Sequence, residues 1–396
     1  MSRRPQTVIV SAVRTPMGSF SGVFSAVPAT KLGSIAIAEA LKRAHLRPDE
    51  VDAVNMGCVL SAGLGQAPAR QASIGAGIPH SVGATTVNKV CGSSLKTVIM
   101  AAQAIALDEA KIIIAGGMEN MTRAPYLLEK GRQGYRLGHA EIIDSVIKDG
   151  LWDVYNNFHM GDGGELCAAK YRLTRREVDD FALESYRRAQ QAVATGVFKQ
   201  EIVGVAVPQR KGDPLTVVDD EEPNRVDLKK MRDLKPAFKK DGLLTVGNSP
   251  SCNDGAAALV VMAEDEAVRL GLTPMARIIG YAGAAVAPEW FTMAPVEAIK
   301  LVLKKTGLSL SDIDLFEINE AFSAVSVAIN RELGLDAKKV NVNGGAVALG
   351  HPIGATGARI LTTLLYALQA KDARRGLATL CIGGGEALAI VVERMS

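Results

Sequence analysis

Two cysteines and one histidine stand in turns where their side chains could carry out covalent catalysis. Cys91 stands where a predicted strand ends, and it precedes three small residues, 92–94, which open a segment with apolar residues at helical spacing. The unpaired N–H groups and the dipole of a helix N-terminus favour a thiolate, so this thiol is suited to act as a nucleophile. A buried cysteine at the end of a strand is the alternative interpretation.

The histidine and the second cysteine lie in glycine-rich segments near the other end of the chain. His351 stands between Gly350 and Pro352 in the glycine-dense segment 341–357, so geometry fixes its backbone. Cys381 ends an apolar run and is followed by glycines 383–385. Successive free N–H groups in such a turn form a concavity that binds an anion. A structural histidine remains the alternative for His351.

Other kinds of site find little support in the sequence. The cysteines, at 58, 91, 167, 252 and 381, form no C-x-x-C pair, and the five histidines show no paired ligand spacing, so a metal site is disfavoured. No G-x-G-x-x-G motif opens a helix, and residues 161–166 are only a near match. Cys58, Cys167 and Cys252 are therefore predicted to be core residues.

Composition and charge limit the classes of protein to which the chain can belong. Of 396 residues, 48% are hydrophobic and 22% charged, as is usual for a globular protein. Lys plus Arg is 45 and Asp plus Glu is 42, and the net charge of 45 − 42 = +3 favours neither nucleic acid nor an anionic membrane as partner. With no membrane span or signal segment and an odd number of cysteines, we expect a cytoplasmic protein in a reducing compartment.

Short β-branched runs alternate with longer helical patterns, which is typical of an α/β fold with buried sheets. The predicted strands are 7–10, 53–56, 112–115, 276–281, 315–318, 378–382 and 387–392. The predicted helices are 32–44, 93–106, 175–195, 296–306, 321–332 and 355–369.

The two ends of the chain resemble each other. Three pairs of segments recur in the same order at an offset of about 260 residues, which indicates two related α/β halves. The pairs are 49–54 with 311–316, 87–88 with 342–343, and 113–119 with 380–386. The intervening segment, 124–241, is richer in charge and helix, and is predicted to be an inserted loop domain with a covering or binding role.

Four motifs together resemble those of the thiolases, and the resemblance runs nearly end to end. They are Val-Cys-Gly-Ser at 90–93, Asn-Glu-Ala-Phe at 319–322, the glycine-rich run 344–354 and Cys-Ile-Gly-Gly-Gly at 381–385. The resemblance implies two duplicated βαβαβαββ halves in a five-layered αβαβα core with an inserted loop domain. The N-terminal half would comprise 1–123 and 242–272, the loop domain 124–241, and the C-terminal half 273–396. The loop domain would cover CoA and mediate tetramerisation.

The resemblance also implies a role for each marked residue. Cys91 would take an acyl group from a CoA thioester, and His351 would accept its proton. Cys381 would act as the acid and base on the second substrate. One oxyanion hole would combine His351 with a water held by Asn319, and the other the N–H groups of Cys91 and Gly383.

Binding residues are implied in the same way. Those assigned to the acyl, pantetheine or nucleotide parts of the substrate are His159, Met160, Arg225, Lys230, Phe238, Ser251, Phe291 and Phe322. The chain departs from many relatives at Pro250, which replaces a serine, and at residues 162–166. Phe291 is shared with the mitochondrial short-chain type, which accepts α-methyl branches. That type also binds potassium, which here would lie near Tyr186, Val246, Gly247, Ser249 and Val347.

The expected activity is the reversible condensation of two acetyl-CoA molecules into acetoacetyl-CoA and CoA, with CoA as substrate and product and no other organic cofactor. A homotetramer, built as a dimer of dimers, is the expected assembly. The alternatives are a broader-chain 3-ketoacyl-CoA thiolase, a scaffold for acyl-CoA enzymes and a cysteine hydrolase. A hydrolase would have no use for Cys381.

Overall fold

The structure, a computed structural model, describes residues 5–395 of the chain. The outer ends of the two predicted halves, residues 1–4 and 396, lie outside the described residues. Among the helices of residues 5–395, none is both long and apolar enough to cross a membrane.

Strands and helices alternate along most of the chain. The strands are β1 Thr7–Arg14, β2 Gly18–Ser19, β3 Ala53–Gly57, β4 Gly83–Val87, β5 Ile112–Asn120, β6 Tyr126–Leu127, β7 Ile143–Asp144, β8 Trp152–Asp153, β9 Phe158–His159, β10 Val205–Val207, β11 Leu215–Val217, β12 Asn253–Ala263, β13 Ala276–Ala285, β14 Leu315–Ile318, β15 Arg375–Ile382 and β16 Glu386–Arg394. The α-helices are α1 Ala29–Arg43, α2 Pro68–Gly75, α3 Ser93–Ala106, α4 Met160–Lys170, α5 Arg175–Thr195, α6 Glu264–Arg269, α7 Ala294–Thr306, α8 Ser323–Leu333, α9 Ala346–Leu349 and α10 Thr356–Ala370.

The main sheet contains the same strand order twice. In the first half β4, β3 and β5 are parallel neighbours, and β12 and β1 follow as antiparallel strands. In the second half β14 and β15 are parallel, β16 and β13 follow as antiparallel strands, and a bridge between Phe316 and Val340 takes the place of the outermost pair. β1 pairs with β13 at two positions and joins the halves. The structure thus reproduces the internal repeat expected from sequence.

Helices α3 and α10 lie between the two halves of the sheet. Their apolar side chains share one core with inward-facing residues of β1, β5 and β12 from the first half and of β15 and β16 from the second. A second apolar core packs α1 and α2 on the other face of the first half, and a third packs α7 and α8 on the other face of the second. The order of layers is therefore helix, sheet, helix, sheet, helix.

The predicted strands and helices are present in the structure, but many of them begin or end at different residues. Some of the observed strands and helices were not predicted. Helices α3 and α5 and strand β14 have the predicted bounds. The longest strand, β12, was missed because it begins with Asn253, Asp254 and Gly255, which are typical of turns. Its eleven residues are all buried between β1 and β5, where tertiary packing outweighs local preference.

Arg14 joins the predicted loop domain to the first half. Its side chain is completely buried, with Nε 2.5 Å from Glu201 Oε1 and Nη1 2.6 Å from Asp220 Oδ1. The backbone of Arg14 also accepts a hydrogen bond from Val203 N at 2.9 Å. Because a buried guanidinium is stable only when it is paired, this residue fixes the segment around 201–220 against β1.

Candidate active site

Cys91 lies on a strained turn between β4 and α3. Val90, which precedes it, has a φ of +45°, a left-handed conformation that costs a β-branched residue about 1–3 kcal/mol. Ser93 at the start of α3 holds this turn, because its Oγ donates to the Val90 carbonyl at 2.6 Å and accepts from Lys89 N at 2.9 Å. The strained turn places the thiol at the N-terminus of α3.

A small, mainly apolar cavity of about 90 Å³ brings the predicted catalytic side chains together. Its wall contains Cys91, His351, Cys381 and Gly383, which come from both halves of the chain. The predicted binding residues His159, Met160, Phe238, Ser251, Phe291 and Phe322 also line it. Other lining residues are Val90, Met121, Gly150, Leu151, Pro250, Cys252, Ala321 and Ile353.

The hydrogen bonds of His351 define which of its ring nitrogens carries the proton. Its Nδ1 lies 2.7 Å from Thr356 Oγ1, and that hydroxyl donates its own proton to the Pro352 carbonyl at 2.9 Å. Since the hydroxyl has one proton, it must accept from Nδ1–H. His351 Nε2 is therefore unprotonated and can act as a base.

Burial keeps both the imidazole and the nucleophile uncharged. It lowers the pKa of His351 to about 3, helped by the positive charge of Arg359. It also raises the pKa of Cys91 to about 11, against the opposing effect of hydrogen bonds from the backbone N–H groups of Gly383 and of Cys91 itself. The resting pair is thus a thiol and a neutral imidazole, and these two N–H groups can stabilise a negative charge beside Cys91.

Cys381 lies almost at the end of β15 and is buried. Burial raises the pKa of its thiol well above the usual value, and the neighbouring Cys91 adds to the rise. The turn that follows requires glycine, because Gly384 and Gly385 have φ values of +92° and +89°. An added Cβ on Gly385 would lie 2.4 Å from the carbonyl oxygen of Val286.

Asn319 follows β14 and is 2% exposed, but it is not among the residues that line the cavity. Its backbone N–H donates to Thr379 O on β15 at 3.0 Å, which places it beside the strand that carries Cys381. Neither Oδ1 nor Nδ2 of its side chain has a hydrogen-bond partner within residues 5–395. Because buried amides are normally paired, this side chain is suited to hold a small polar molecule.

Three aromatic rings form one wall of the cavity. The His159 ring stacks on Phe238 with centroids 5.1 Å apart, and Phe238 meets Phe322 edge to face at 5.8 Å. His159 Nδ1 accepts a hydrogen bond from Gly161 N at 3.0 Å and caps α4, so its Nε2 carries the proton. Burial lowers the pKa of His159.

Glycines in the first turns of α4 make room for the rings of Phe238 and Phe291. The sequence predictions missed this feature. A Cβ on Gly161 would lie 2.2 Å from the Phe238 ring, and one on Gly163 would lie 2.5 Å from Cε1 of Phe291. The unusual run Gly-Asp-Gly-Gly inside a helix was the available signal, since each glycine costs a helix about 1 kcal/mol relative to alanine.

Ser251 and Cys252 are neighbours in the cavity wall. Cys252 was predicted to be a core residue, and this was wrong, because it is partly exposed in the cavity wall. Its backbone forms an isolated parallel β-bridge with that of His351. Ser251 lines the cavity but donates to Asn253 Oδ1 at 2.9 Å. The same oxygen accepts from His351 N at 2.9 Å, so Ser251 also supports the histidine turn.

Arg225 and Lys230 lie outside the cavity wall, on the exposed surface. Arg225 Nη1 is 3.0 Å from Glu221 Oε1, and Lys230 Nζ is 3.6 Å from Asp227 Oδ2. Both bonds are local and solvent-exposed, so they leave these cations able to contact a phosphate at little cost.

The residues expected near a potassium ion differ in their exposure. The phenol is buried, and its pKa is raised by burial and by the negative charges of Glu222 and Glu320. Ser249, two residues after Gly247, has a buried Oγ without a hydrogen-bond partner among the described residues. Val347 packs in the same apolar cluster as Tyr186, whereas Val246 is exposed. Within residues 5–395 no cluster of three or more His, Cys, Asp or Glu side chains could hold a metal.

Comparison with protein families agrees with this geometry. The family described as "Thiolase, N-terminal domain" matches residues 7–265, and the family described as "Thiolase, C-terminal domain" matches residues 272–394. Together they cover nearly the whole chain.

Characterised relatives and solved structures match over almost their full lengths. The acetyl-CoA acetyltransferase of Schizosaccharomyces pombe is 50% identical over 391 residues, 98% of this chain and 99% of that protein. That of Cupriavidus necator is 51% identical over 388 residues, with the same coverage of 98% and 99%. The crystal structure of the Bacillus anthracis acetyl-CoA acetyltransferase superposes with a TM-score of 0.97 at 40% identity, covering all of both chains. An Ascaris suum thiolase in complex with coenzyme A gives a TM-score of 0.94 at 43% identity, covering 98% of this chain and 100% of that one.

Proposed function

The chain belongs to the thiolase family, and we propose that it is an acetyl-CoA C-acetyltransferase, an enzyme that reversibly converts two acetyl-CoA molecules into acetoacetyl-CoA and CoA. The observation that carries this proposal is the single cavity that contains Cys91, His351 and Cys381. A hydrolase would need only the first two of these side chains. A short acyl group, rather than the longer chains of fatty-acid breakdown, is proposed because the relatives are acetyl-CoA acetyltransferases.

The first half-reaction transfers acetyl to Cys91. His351 Nε2 takes the thiol proton as the sulfur attacks the thioester carbonyl, and the negative oxygen of the tetrahedral intermediate accepts hydrogen bonds from the N–H groups of Cys91 and Gly383. The carbon–sulfur bond to CoA then breaks, and the imidazolium returns its proton to the CoA sulfur. The products are acetyl-Cys91 and CoA.

The second half-reaction forms the carbon–carbon bond. His351 Nε2, neutral again after the first half-reaction, takes the thiol proton of Cys381, and the resulting thiolate removes an α-proton from a second acetyl-CoA. The raised pKa of Cys381 makes this thiolate a strong base. The enolate oxygen then accepts hydrogen bonds from Nε2–H of the His351 imidazolium and from a water on the unpaired amide of Asn319. The carbanion attacks the carbonyl of acetyl-Cys91, the bond to the Cys91 sulfur breaks, and the imidazolium returns its proton to that sulfur. Acetoacetyl-CoA leaves, and Cys91, His351 and Cys381 are again neutral.

The remaining predicted contacts stay part of the proposal. His159, Met160, Phe238 and Phe322 would enclose the acyl group and pantetheine, and Arg225 and Lys230 would meet the CoA phosphates. A potassium ion would lie near Tyr186, Val246, Gly247, Ser249 and Val347. The unpaired buried hydroxyl of Ser249 supports this proposal, as do the carboxylates of Glu222 and Glu320, whose charges act on Tyr186.

The assembly, the domain limits and the cellular location are also part of the proposal. Exposed apolar residues of the segment 126–155 would be covered in a homotetramer; they include Tyr126, Leu128, Leu137, Ile142, Val154 and Tyr155. The segment 124–241 would be the loop domain between halves 1–123 with 242–272 and 273–396. A cytoplasmic location is consistent with the bacterial relatives.

Thiolysis of acetoacetyl-CoA by CoA, followed through the loss of its enolate absorbance, tests the proposal. The wild-type enzyme should catalyse the reaction, and Cys91→Ala should lose several orders of magnitude in rate because the nucleophile is gone. A wild-type rate no higher than that of Cys91→Ala would refute the proposal. A profile over longer ketoacyl-CoA substrates would distinguish the broader-chain alternative.

A further inference from the structure

Glu119 is a buried carboxylate near the end of β5 that has no part in the proposed chemistry. It is 0% exposed, and Oε2 accepts from Val59 N at 3.0 Å and from Gly354 N at 2.9 Å. Oε1 accepts from Leu60 N at 3.1 Å. Among the described residues no basic side chain forms an ion pair with it, so these three N–H groups compensate for its burial.

The three hydrogen bonds join the two halves of the molecule. Val59 and Leu60 follow β3 in the first half, whereas Gly354 stands three residues after His351 in the second. The carbonyl group of Gly354 also packs closely against Gly57 and Gly117 of the first half. A Cβ on Gly57 would lie 2.6 Å from the Gly354 carbonyl oxygen, and one on Gly117 would lie 2.1 Å from it.

The turn that carries His351 is therefore held at both ends. At its start His351 N donates to Asn253 Oδ1 at 2.9 Å, and at its end Gly354 N donates to Glu119. Pro352 restricts the backbone between them. The side chain of Ile353 packs with Val59 and Leu60 in an apolar cluster that also contacts Cys91.

We propose that Glu119 is a positioning residue, whose carboxylate fixes the His351 turn relative to the Cys91 side of the cavity. This inference rests on the proposed function, in which His351 must reach the Cys91 thiol. The carboxylate touches neither reacting sulfur, so it acts through Gly354 and the turn. Proton transfer requires hydrogen-bond distance, and a displacement of about 1 Å can reduce a rate about a hundredfold.

The charge of Glu119 makes this restraint sensitive to pH. Burial raises its pKa to about 7, although the three N–H bonds act in the opposite direction. Cys58 is the titratable side chain that faces it, with Sγ 3.8 Å from Oε1, and the pKa of this thiol is itself raised, so it stays neutral. Protonation converts one acceptor oxygen into a donor and should loosen the turn below about pH 7.

The test compares Glu119→Gln with Asp314→Asn as the matched control. Asp314 also accepts two backbone N–H groups, from Arg374 at 2.9 Å and Arg375 at 2.8 Å, but it precedes β14 and β15 at the edge opposite the cavity. We expect Glu119→Gln to lower kcat for acetoacetyl-CoA thiolysis about tenfold to a hundredfold, with KM within about twofold of wild type. Alkylation of Cys91 by iodoacetamide should slow as well. The control should leave both unchanged.

A pH profile separates positioning from a merely structural role. The wild-type kcat should decline below about pH 7, and folded Glu119→Gln should lose this limb. Gly354→Ala should also lower kcat, because it alters the partner of Glu119 in the same contact. The added Cβ would lie 2.6 Å from Glu119 Oε2.

Three results would overturn the inference. Folded Glu119→Gln could have the same kcat and alkylation rate as wild type, or its losses of kcat and alkylation rate could only match the fraction of protein that is unfolded. The third result is a wild-type kcat that does not change through pH 7. If Glu119→Gln does not fold, the wild-type pH profile and Gly354→Ala decide. A wild-type enzyme without thiolysis activity refutes the proposed function instead, and Cys91 alkylation still tests Glu119.

Discussion

The hydroxyl of Thr356 accepts a hydrogen bond from Nδ1–H of His351, with Oγ1 and Nδ1 2.7 Å apart. Because that hydroxyl donates to Pro352 O, the contact has one direction and leaves His351 Nε2 as the base. The two residues are five positions apart, and the first turn of α10 supplies the hydroxyl. A helix N-terminus thus sets the tautomer of the imidazole.

Thr356→Val should lower kcat about tenfold to a hundredfold, because the imidazole loses the acceptor that selects its tautomer. The measurement is steady-state thiolysis of acetoacetyl-CoA. Thr362→Val is the control, since Thr362 lies on the same helix and its buried hydroxyl has no partner among the described residues. Equal kcat values in the two variants would contradict the assignment.

Cys381→Ala should separate the two half-reactions. The variant keeps Cys91 and His351, so acetyl-CoA should still acetylate Cys91, as measured by intact-protein mass. Thiolysis and condensation should fall by several orders of magnitude because no group remains to transfer the α-proton. Retained turnover in Cys381→Ala would show that another group supplies this proton.

At pH 7 Cys91 should be a neutral thiol. Burial raises its pKa to about 11, and the lowered pKa of His351, about 3, prevents formation of an ion pair at rest. The difference in thiolate ultraviolet absorbance between wild type and Cys91→Ser should therefore appear only in strongly alkaline solution. A thiolate signal at neutral pH would instead indicate a thiolate–imidazolium pair.

The lowered pKa of His351 also predicts how stability depends on pH. Between about pH 3 and pH 6.5 the unfolded chain binds a proton at this residue and the folded chain does not. The contribution of His351 to the free energy of unfolding should fall as pH falls through this window. His351→Asn should make the urea-unfolding free energy less dependent on pH there, and an unchanged dependence would contradict the assignment.

Gly163→Ala should narrow the acyl pocket. The added Cβ would lie 2.5 Å from Phe291 Cε1. Phe291 packs in the core and also lines the cavity, so we expect its ring to shift towards the cavity. Acylation of Cys91 by butyryl-CoA should fall more than acylation by acetyl-CoA. Asp162→Ala on the same turn is the control, and an unchanged ratio in Gly163→Ala would count against this role.

Arg14→Met should destabilise the fold by about 3–5 kcal/mol, because it leaves the buried carboxylates of Glu201 and Asp220 without their cation. Urea denaturation measures the loss. Arg47→Met, which removes an exposed contact with Asp49, should cost less than about 1 kcal/mol. Similar losses in both variants would contradict the buried network.

Much of the fold could be predicted because local patterns encode local structure. Helix α3 has its predicted bounds, since its apolar residues recur at helical spacing and Gly92 and Ser93 begin it. Strand β12 could not be predicted, because its buried position between β1 and β5 depends on partners distant in the chain. The same limit applies to Arg14, whose partners Glu201 and Asp220 stand 187 and 206 positions away.

The sequence by itself determined the family, the repeat, and the residue types that carry the proposed chemistry, because these are written in motifs and their order. Only the tertiary structure decided that Cys91 and Cys381, 290 positions apart, share one small cavity with His351. It also decided that Gly163 accommodates Phe291 and that Glu119 joins the two halves. Such contacts depend on how the two halves of the main sheet pack around α3 and α10, and no local spacing encodes that packing.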